Sequence, residues 1–297
     1  MNRIACGLAA AFAFAFVSPR TQACSCSGQG PASALTRPDQ TFGVRASQRL
    51  VLGQGAANAH GHYEAFAPAE QDRSLEYALL VAYRLQRLEL AATLGYGTRS
   101  AAFSEASDRS TGLSDTLLRA RYEAAEEPEP WQSGVYPSLA MLGTLRLPTA
   151  PAEGLAPRGL GTTEFALAVS LERSFARLFR VGVLAELAGR LPDTTLGVTR
   201  RLGPRASAEL TLSYFASADL IISALIGTRW EGNVNVQQRE QYGTAQRLTE
   251  IGAAISLQPW SSPLRAGFAQ RFAPGIDGLS ANTLLGLTGE FWIGYVR

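Results

Sequence analysis

The chain has 297 residues, of which 46% are hydrophobic and 18% are charged, and all 27 of its basic residues are arginine. A formal net charge of +2 gives no argument for a nucleic-acid partner, and three cysteines are too few for a disulfide framework. Beyond the N-terminal segment, no apolar run reaches the roughly 20 residues of a membrane-spanning helix, so the apolar residues must follow another pattern.

The N-terminal segment has the features of a secretory signal peptide. Arg3 supplies a positive start, and residues 4–17 form an apolar run that is too short to span a membrane. Thr21 and Ala23 place small residues at the two positions that a signal peptidase reads. We therefore predict a signal peptide over 1–23, a short periplasmic segment over 24–40 and a single structural domain over 41–297.

Alternation of apolar and polar residues with a period of two recurs along this domain, and no long segment has a convincing 3.6-residue period. In residues 73–85, for example, Leu75, Tyr77 and Leu79 share one face. The pattern predicts twelve strands of about 11 to 15 residues, which is longer than most strands of soluble sheets and enough to cross a bilayer at a tilt. The predicted strands lie near residues 41–52, 73–85, 87–98, 112–124, 133–147, 161–174, 178–190, 206–216, 219–231, 246–258, 262–272 and 282–296.

The connections between these strands alternate in length. Long loops are predicted over 53–72, 99–111, 148–160, 191–205, 232–245 and 273–281, with short or moderate turns between them. Bacterial outer-membrane barrels have an even number of strands, short periplasmic turns and longer extracellular loops. The sequence therefore predicts an all-β fold, a transmembrane antiparallel up-and-down β-barrel of about twelve strands in the bacterial outer membrane, with both termini on the periplasmic side.

Aromatic residues favour the same arrangement. Five lie at or beside the short turns, and three lie near the long-loop ends of their strands, as in the two aromatic girdles of a membrane barrel. An ordinary β-sandwich core with scattered aromatics is the alternative, but it does not need such long strands. The turn-side residues are Trp131, Phe175, Phe179, Phe215 and Trp260, and the loop-side residues are Tyr96, Trp230 and Phe272.

Two glycine-rich stretches carry a family resemblance. Residues 112–122 open with Gly-Leu-Ser-Asp, and residues 145–149 end in Leu-Pro-Thr before a loop that resumes with Gly-Thr-Thr-Glu at 161–164. They resemble the MetA-type outer-membrane transporter family of proteobacteria, which is named for the meta-cleavage pathway of phenol degradation. The chain departs from the family pattern at Ser114, Ala150 and Thr163, which replace glycines, and at Glu164, which replaces an aspartate. The resemblance covers roughly residues 112–175 and implies a transporter-like barrel, whereas the family name says nothing about phenol here.

Charged residues are expected in the barrel lumen, because an arginine on the lipid face costs about 2–4 kcal/mol at mid-bilayer. The candidates for a selectivity site are Asp115, Arg119, Arg121, Arg146, Glu164 and Glu172. Three of them, Arg119, Arg121 and Arg146, are arginines on neighbouring predicted strands and favour anions or organic acids. The predicted function is a channel or transporter for small solutes of unknown identity. The alternative is a structural or surface-interaction barrel whose lumen is plugged by salt bridges.

Cysteine and histidine pairs are weak candidates for a metal site. Cys24, Cys26, His60 and His62 are the residue types that bind copper or zinc. The two pairs fall at opposite ends of the predicted barrel, so no shared metal site and no cofactor is predicted.

Enzyme activity is not predicted, because no serine motif accompanies the two histidines. The expected partners are outer-membrane lipid and lipopolysaccharide, a small-molecule solute and the barrel-assembly machinery. The last strand carries the alternating apolar residues that this machinery reads, among them Phe291, Ile293 and Tyr295. A monomer is favoured, and no nucleic-acid partner is expected.

Overall fold

The computed structural model describes residues 40–103, 106–125, 137–151, 156–175, 178–195, 198–217, 219–257 and 262–297. None of these residues forms a helix that is long and apolar enough to span a membrane. The described strands, in chain order, are β1 (Phe42–Ala57), β2 (Tyr63–Ala65), β3 (Gln71–Leu85), β4 (Leu88–Phe103), β5 (Ala106–Leu113), β6 (Thr116–Ala125), β7 (Ser138–Leu147), β8 (Glu164–Phe175), β9 (Phe179–Arg190), β10 (Asp193–Thr195), β11 (Val198–Arg201), β12 (Arg205–Phe215), β13 (Leu220–Glu231), β14 (Val234–Val236), β15 (Arg239–Gln241), β16 (Gln246–Leu257), β17 (Leu264–Phe272) and β18 (Thr283–Val296).

Twelve of these strands close into one antiparallel barrel. The order is β1, β3, β4, β6, β7, β8, β9, β12, β13, β16, β17 and β18, and β18 pairs with β1 to complete the ring. At this seam Val44 faces Tyr295 and Leu52 faces Leu287. The twelve-stranded all-β barrel that the alternation predicted is confirmed.

The alternation within each strand sorts apolar side chains outward and polar side chains inward. On β4 the outward Leu90, Leu94 and Tyr96 are 45–56% exposed, whereas the inward Glu89 and Thr93 are 1% and 6% exposed. A soluble protein rarely exposes so continuous an apolar surface, whereas the outer wall of a barrel in lipid requires it. The core of this molecule is therefore the polar lumen, and the apolar side chains form its outer wall.

Four predicted loops are wrong in detail, because they contain strand residues. The loop 53–72 contains the end of β1, the short strand β2, which pairs with β1, and the start of β3. Residues 99–111 continue the wall as the upper part of β4 and as β5, which pairs with β4 from Tyr96 to Phe103. The loops 191–205 and 232–245 contain the hairpins β10–β11 and β14–β15, which pair into a separate four-stranded sheet. Outside the bilayer both faces of a strand meet water, so the apolar alternation that marks the other strands is absent there.

Aromatic side chains lie at both ends of the outer wall. Phe175 and Phe179 are 46% and 41% exposed at the short-turn end, where the Phe179 ring lies 5.3 Å from that of Tyr214. Tyr96 and Trp230 are 54% and 44% exposed near the long-loop end. Two of the predicted girdle residues, Trp131 and Trp260, lie outside the described residues. The described aromatics mark the borders of the apolar band.

Candidate functional site

One half of the lumen is filled by paired charges. Glu164 on β8 accepts hydrogen bonds from Arg190 on β9 at 2.7 Å and from Arg205 on β12 at 2.8 Å. Arg190 also binds Glu231 at 2.7 Å, and Arg205 lies 3.0 Å from Glu186. All five side chains are at least 90% buried, so these pairs act as a cross-link between four neighbouring strands.

A second group of buried charges, on strands nearer the C-terminus, lies on the same side of the lumen. Arg271 on β17 donates to Glu209 on β12 at 2.7 Å and lies 3.9 Å from Glu250 on β16. Arg271 is 2% exposed, although it stands in the interior of a barrel. The arginines and carboxylates of β8, β9, β12, β13, β16 and β17 therefore occupy one side of the lumen.

The opposite side of the lumen contains open space, which we call the wall cavity. It encloses about 600 Å³, including its opening to solvent, and lies against β1, β3, β4, β6, β7 and β18. Its polar lining consists of three arginines, three carboxylates and two hydroxyl groups, and Leu80 and Leu117 supply apolar lining. The polar residues are Arg45, Ser47, Arg49, Glu76, Thr93, Asp115, Arg146 and Glu290.

Several charges of the wall cavity are engaged by the protein itself. Arg49 forms an ion pair with Glu76 on the neighbouring strand. The guanidinium carbon of Arg45 lies 5.8 Å from the centre of the Trp292 ring, within reach of a cation–π contact. Both carboxylate oxygens of Asp115 accept backbone hydrogen bonds.

A second cavity continues the wall cavity toward the long-loop end. It encloses about 510 Å³, again including its opening, and it shares Arg49 and Glu76 with the first. Arg99 and Asp72 form a two-pronged ion pair on its lining, with N–O distances of 3.0 and 2.9 Å. The two cavities adjoin at the Arg49–Glu76 ion pair, one near the middle of the lumen and the other nearer the loops.

The loop after β7 folds into the lumen and lines this space. We call its described residues, 148–151 and 156–163, the inward loop. Asp115, in the break between β5 and β6, accepts hydrogen bonds from the backbone N–H of Ala150 at 3.2 Å and of Leu160 at 2.8 Å. The hydroxyl of Thr149 donates to the Ser114 carbonyl at 2.8 Å and accepts from the Thr116 N–H at 2.9 Å. The two stretches that carried the family resemblance are therefore in direct contact.

Further contacts hold the inward loop against the extended wall. The Asp108 carboxylate accepts from the Ala156 N–H at 3.1 Å, and Arg99 donates to the Pro157 carbonyl at 3.1 Å. Ala156 is completely buried and Leu160 is 2% exposed. Gly159 has no room for a side chain, because an added Cβ would collide with the Asp115 carboxylate and would lie 2.7 Å from the Ala150 carbonyl oxygen.

The structure separates the six predicted selectivity residues. Asp115 and Arg146 line the wall cavity. Arg146 faces Leu117 across the β6–β7 pair, whereas Arg119 faces Thr144 and Arg121 faces Leu142. Because each step of two residues along a strand is about 7 Å, Arg119 and Arg121 lie progressively further toward the short-turn end.

Four of the six are engaged in ion pairs outside the cavity lining. Arg119 lies 3.3 Å from Glu89, and Arg121 lies 3.1 Å from Glu123. Glu164 belongs to the buried cross-link. Glu172 lies 3.5 Å from Arg180 near the short turns, in an ion pair whose two side chains are partly exposed.

Sequence reasoning missed Arg45 and Arg49, which line the cavity from the first strand. Their signal was present, because Arg45, Ser47 and Arg49 alternate with the outward Val44, Ala46 and Leu50.

The histidines lie in the loops above the barrel. Nδ1 of His62 is 3.2 Å from Oδ2 of Asp277, and the Tyr63 N–H donates to Oδ1 of Asp277 at 2.7 Å. The Tyr63 N–H, followed by His62, holds the pKa of Asp277 below its usual value. Cys24 and Cys26 lie outside the described residues, and no group of three or more metal-binding side chains occurs among those described.

Comparison with known proteins supports the fold. No family model and no curated protein matches the chain. An outer-membrane channel from Pseudomonas putida F1 is similar in structure, with a TM-score of 0.76 at 15% identity over 91% of this chain and 100% of that chain. The translocator domain of the autotransporter NalP from Neisseria meningitidis has a TM-score of 0.51 at 13% identity, over 88% of this chain and 90% of that chain.

The β domain of the Bordetella autotransporter BrkA is a third similar structure, with a TM-score of 0.50 at 12% identity over 86% of this chain and 100% of that chain. At these identities the similarity concerns the fold. The outer-membrane barrel fold that the sequence resemblance implied is thereby confirmed. The chain has the fold of outer-membrane β-barrels, and its apolar outer band fits the bacterial outer membrane.

Proposed function

We propose that the protein is an outer-membrane channel for small solutes, and that solutes follow the wall cavity on one side of the lumen. The observation that carries this proposal is that two cavities lie one after the other along the same wall and adjoin at Arg49 and Glu76. The buried cross-link on the opposite side supports it, because paired charges there leave solutes a single lined side of the lumen.

The lining favours organic anions as the solutes. Arg45, Arg49 and Arg146 each carry a guanidinium group with five N–H donors. Glu76 is paired with Arg49, and the Asp115 carboxylate already accepts two backbone amides. The wall cavity sets these three guanidinium groups against three carboxylates, of which the third is Glu290. Charge-assisted hydrogen bonds from arginine suit the carboxylate of a solute.

Single-channel recording in a planar bilayer tests the proposal. The refolded mature protein should give discrete conductance steps with a preference for anions. Replacing Arg45 and Arg146 with glutamine should reduce the anion preference, because both guanidinium groups line the wall cavity. Arg180→Gln is the matched control, because Arg180 pairs with Glu172 away from the cavity. An unchanged ion preference in the double variant would contradict the assignment of the lining.

A structural barrel with a plugged lumen is the second candidate, and the buried ion pairs favour it. Charges that are 97–99% buried, such as those of Arg190, Arg205 and Glu164, belong to a packed interior and not to a water-filled one. A folded, membrane-inserted protein that never conducts would support this candidate over the channel.

We further propose that the protein acts as a monomer and is inserted by the barrel-assembly machinery. One chain closes the ring by itself, because β18 pairs with β1 along fourteen register positions from Gly43–Val296 to Ala57–Thr283. The outward Phe291, Ile293 and Tyr295 of β18 are 42–51% exposed, which leaves the apolar signal of the last strand accessible.

A further inference from the structure

Two arginines lie on the outer face of the wall, close to each other. Arg73 on β3 faces Ser100 on β4, and Ser100 faces Arg109 on β5. Neighbouring strands are about 4.8 Å apart, so the two arginine backbones are about 10 Å apart. All three residues belong to the outward set of their strands, since Asp72, Arg99 and Asp108 point to the lumen side.

This row lies just beyond the apolar band. On the same three strands the outward Tyr77, Tyr96 and Leu113 are 52–56% exposed. Arg73, Ser100 and Arg109 each lie four residues from one of these apolar residues, on the side of the long loops. Four residues correspond to about 13 Å along a strand. They therefore lie at the level where the head groups of the outer leaflet meet the barrel.

The two guanidinium groups contrast with those in the lumen. Arg73 and Arg109 are exposed and form no ion pair with any residue in the described ranges, whereas the lumen side of the same wall pairs Arg99 with Asp72. The acidic residues next to them in sequence, Asp72 and Asp108, are engaged by Arg99 and by the Ala156 N–H. The outer row therefore presents positive charge and hydroxyl groups at the lipid border, with Thr98 and Thr111 hydrogen bonded at 3.0 Å below it.

We propose that Arg73, Ser100 and Arg109 bind the phosphate groups of lipopolysaccharide in the outer leaflet. This inference rests on the proposed outer-membrane location. Arginine forms charge-assisted hydrogen bonds to phosphate oxygens, and basic residues at a membrane surface attract anionic lipid head groups. The apolar band below the row would contact the acyl chains of the same molecule.

Titration of the detergent-solubilised protein with purified lipopolysaccharide, read by native mass spectrometry, tests this site. Arg73→Gln with Arg109→Gln should weaken binding roughly thirtyfold, since each surface arginine contributes about fivefold. Dephosphorylated lipopolysaccharide should bind the wild type as weakly as the intact lipid binds the double variant. Arg173→Gln is the matched control, because Arg173 is an outward arginine at the opposite rim, 5.4 Å from the Phe175 ring.

Equal binding of lipopolysaccharide to the wild type and the double variant would overturn the site. So would a wild type that binds phosphatidylglycerol as tightly as lipopolysaccharide. The double variant should keep the wild-type conductance and heat-modifiable migration, because neither arginine faces the lumen. Failure of the lipid site is therefore distinguishable from failure of the channel.

Discussion

Glu164 and Glu172 are two inward-facing glutamates of β8, and their surroundings differ. Glu164 lies between Arg190 and Arg205, and all three side chains are 97–99% buried. Glu172 pairs with Arg180 at 3.5 Å, and these two side chains are 25% and 32% exposed. One strand thus contains a buried charge cluster and a solvated ion pair at the same type of position.

The two glutamates give a matched test of the buried cross-link. Glu164→Gln removes the shared carboxylate from two buried guanidinium groups, and breaking such a pair costs about 3–5 kcal/mol. Glu172→Gln should cost less than about 1 kcal/mol, because the pair it removes is partly solvated. The urea midpoint of barrel unfolding, read from heat-modifiable migration, measures both. Equal midpoints for the two variants would show that the cross-link does not stabilise the barrel.

Which residues face the lumen was largely predictable from the sequence, whereas which arginine pairs with which carboxylate was not. Alternation placed Glu164, Glu172 and Arg146 in the lumen, because charge is costly on the lipid face. Whether an arginine lines open space or is buried against a carboxylate depends on strands far apart in the chain, such as β8 and β12 for Glu164 and Arg205. One sequence contains no signal for that choice.

At the scale of elements, the strands of the bilayer were predictable and the inward loop was not. The predicted strand 282–296 corresponds to β18 (Thr283–Val296), and the predicted strand 178–190 corresponds to β9 (Phe179–Arg190). The direction of the inward loop is set by hydrogen bonds to Asp108 on β5 and to Asp115 in the break between β5 and β6. Local sequence patterns do not encode contacts of this kind.

Asp115 provides the test of the inward loop. Asp115→Asn should weaken the hydrogen bonds from the Ala150 and Leu160 N–H groups, because bonds to a charged acceptor contribute about 1.5–3 kcal/mol. We expect faster hydrogen exchange at both amides and a larger or noisier conductance. Glu172→Gln is the control, since Glu172 does not contact the loop. Unchanged exchange at Ala150 and Leu160 would mean that other contacts position the loop.

The last strand makes the closing contacts of the ring. Residues 291–297 pair with β1 from Gly43 to Gln48 and with β17 from Leu264 to Phe268. A chain that ends at Glu290 loses both sets of pairs, so we expect no heat-modifiable, membrane-inserted product. Tyr242→Ala, at an 85% exposed loop position, should assemble normally. A stable inserted barrel from the truncated chain would contradict the role of β18 in closure.

At the scale of the whole molecule, the lumen has two unlike sides. Buried arginine–carboxylate pairs occupy the side of β8 to β17. On the side of β1 to β7 with β18, two adjoining cavities lie among further ion pairs such as Arg49–Glu76 and Arg99–Asp72. The inward loop lines the cavities at the long-loop end. The central claim is therefore that solutes pass along one wall and not along the barrel axis.

Cysteine substitution with chemical block of the current tests this claim most directly. With Cys24 and Cys26 changed to serine, Ser47→Cys places a thiol in the wall cavity, and Ser207→Cys places one between Glu186 and Arg229 on the filled side. A charged thiol reagent should block single-channel current through Ser47→Cys and leave Ser207→Cys unaffected. Equal block of both variants, or block of Ser207→Cys alone, would contradict the account.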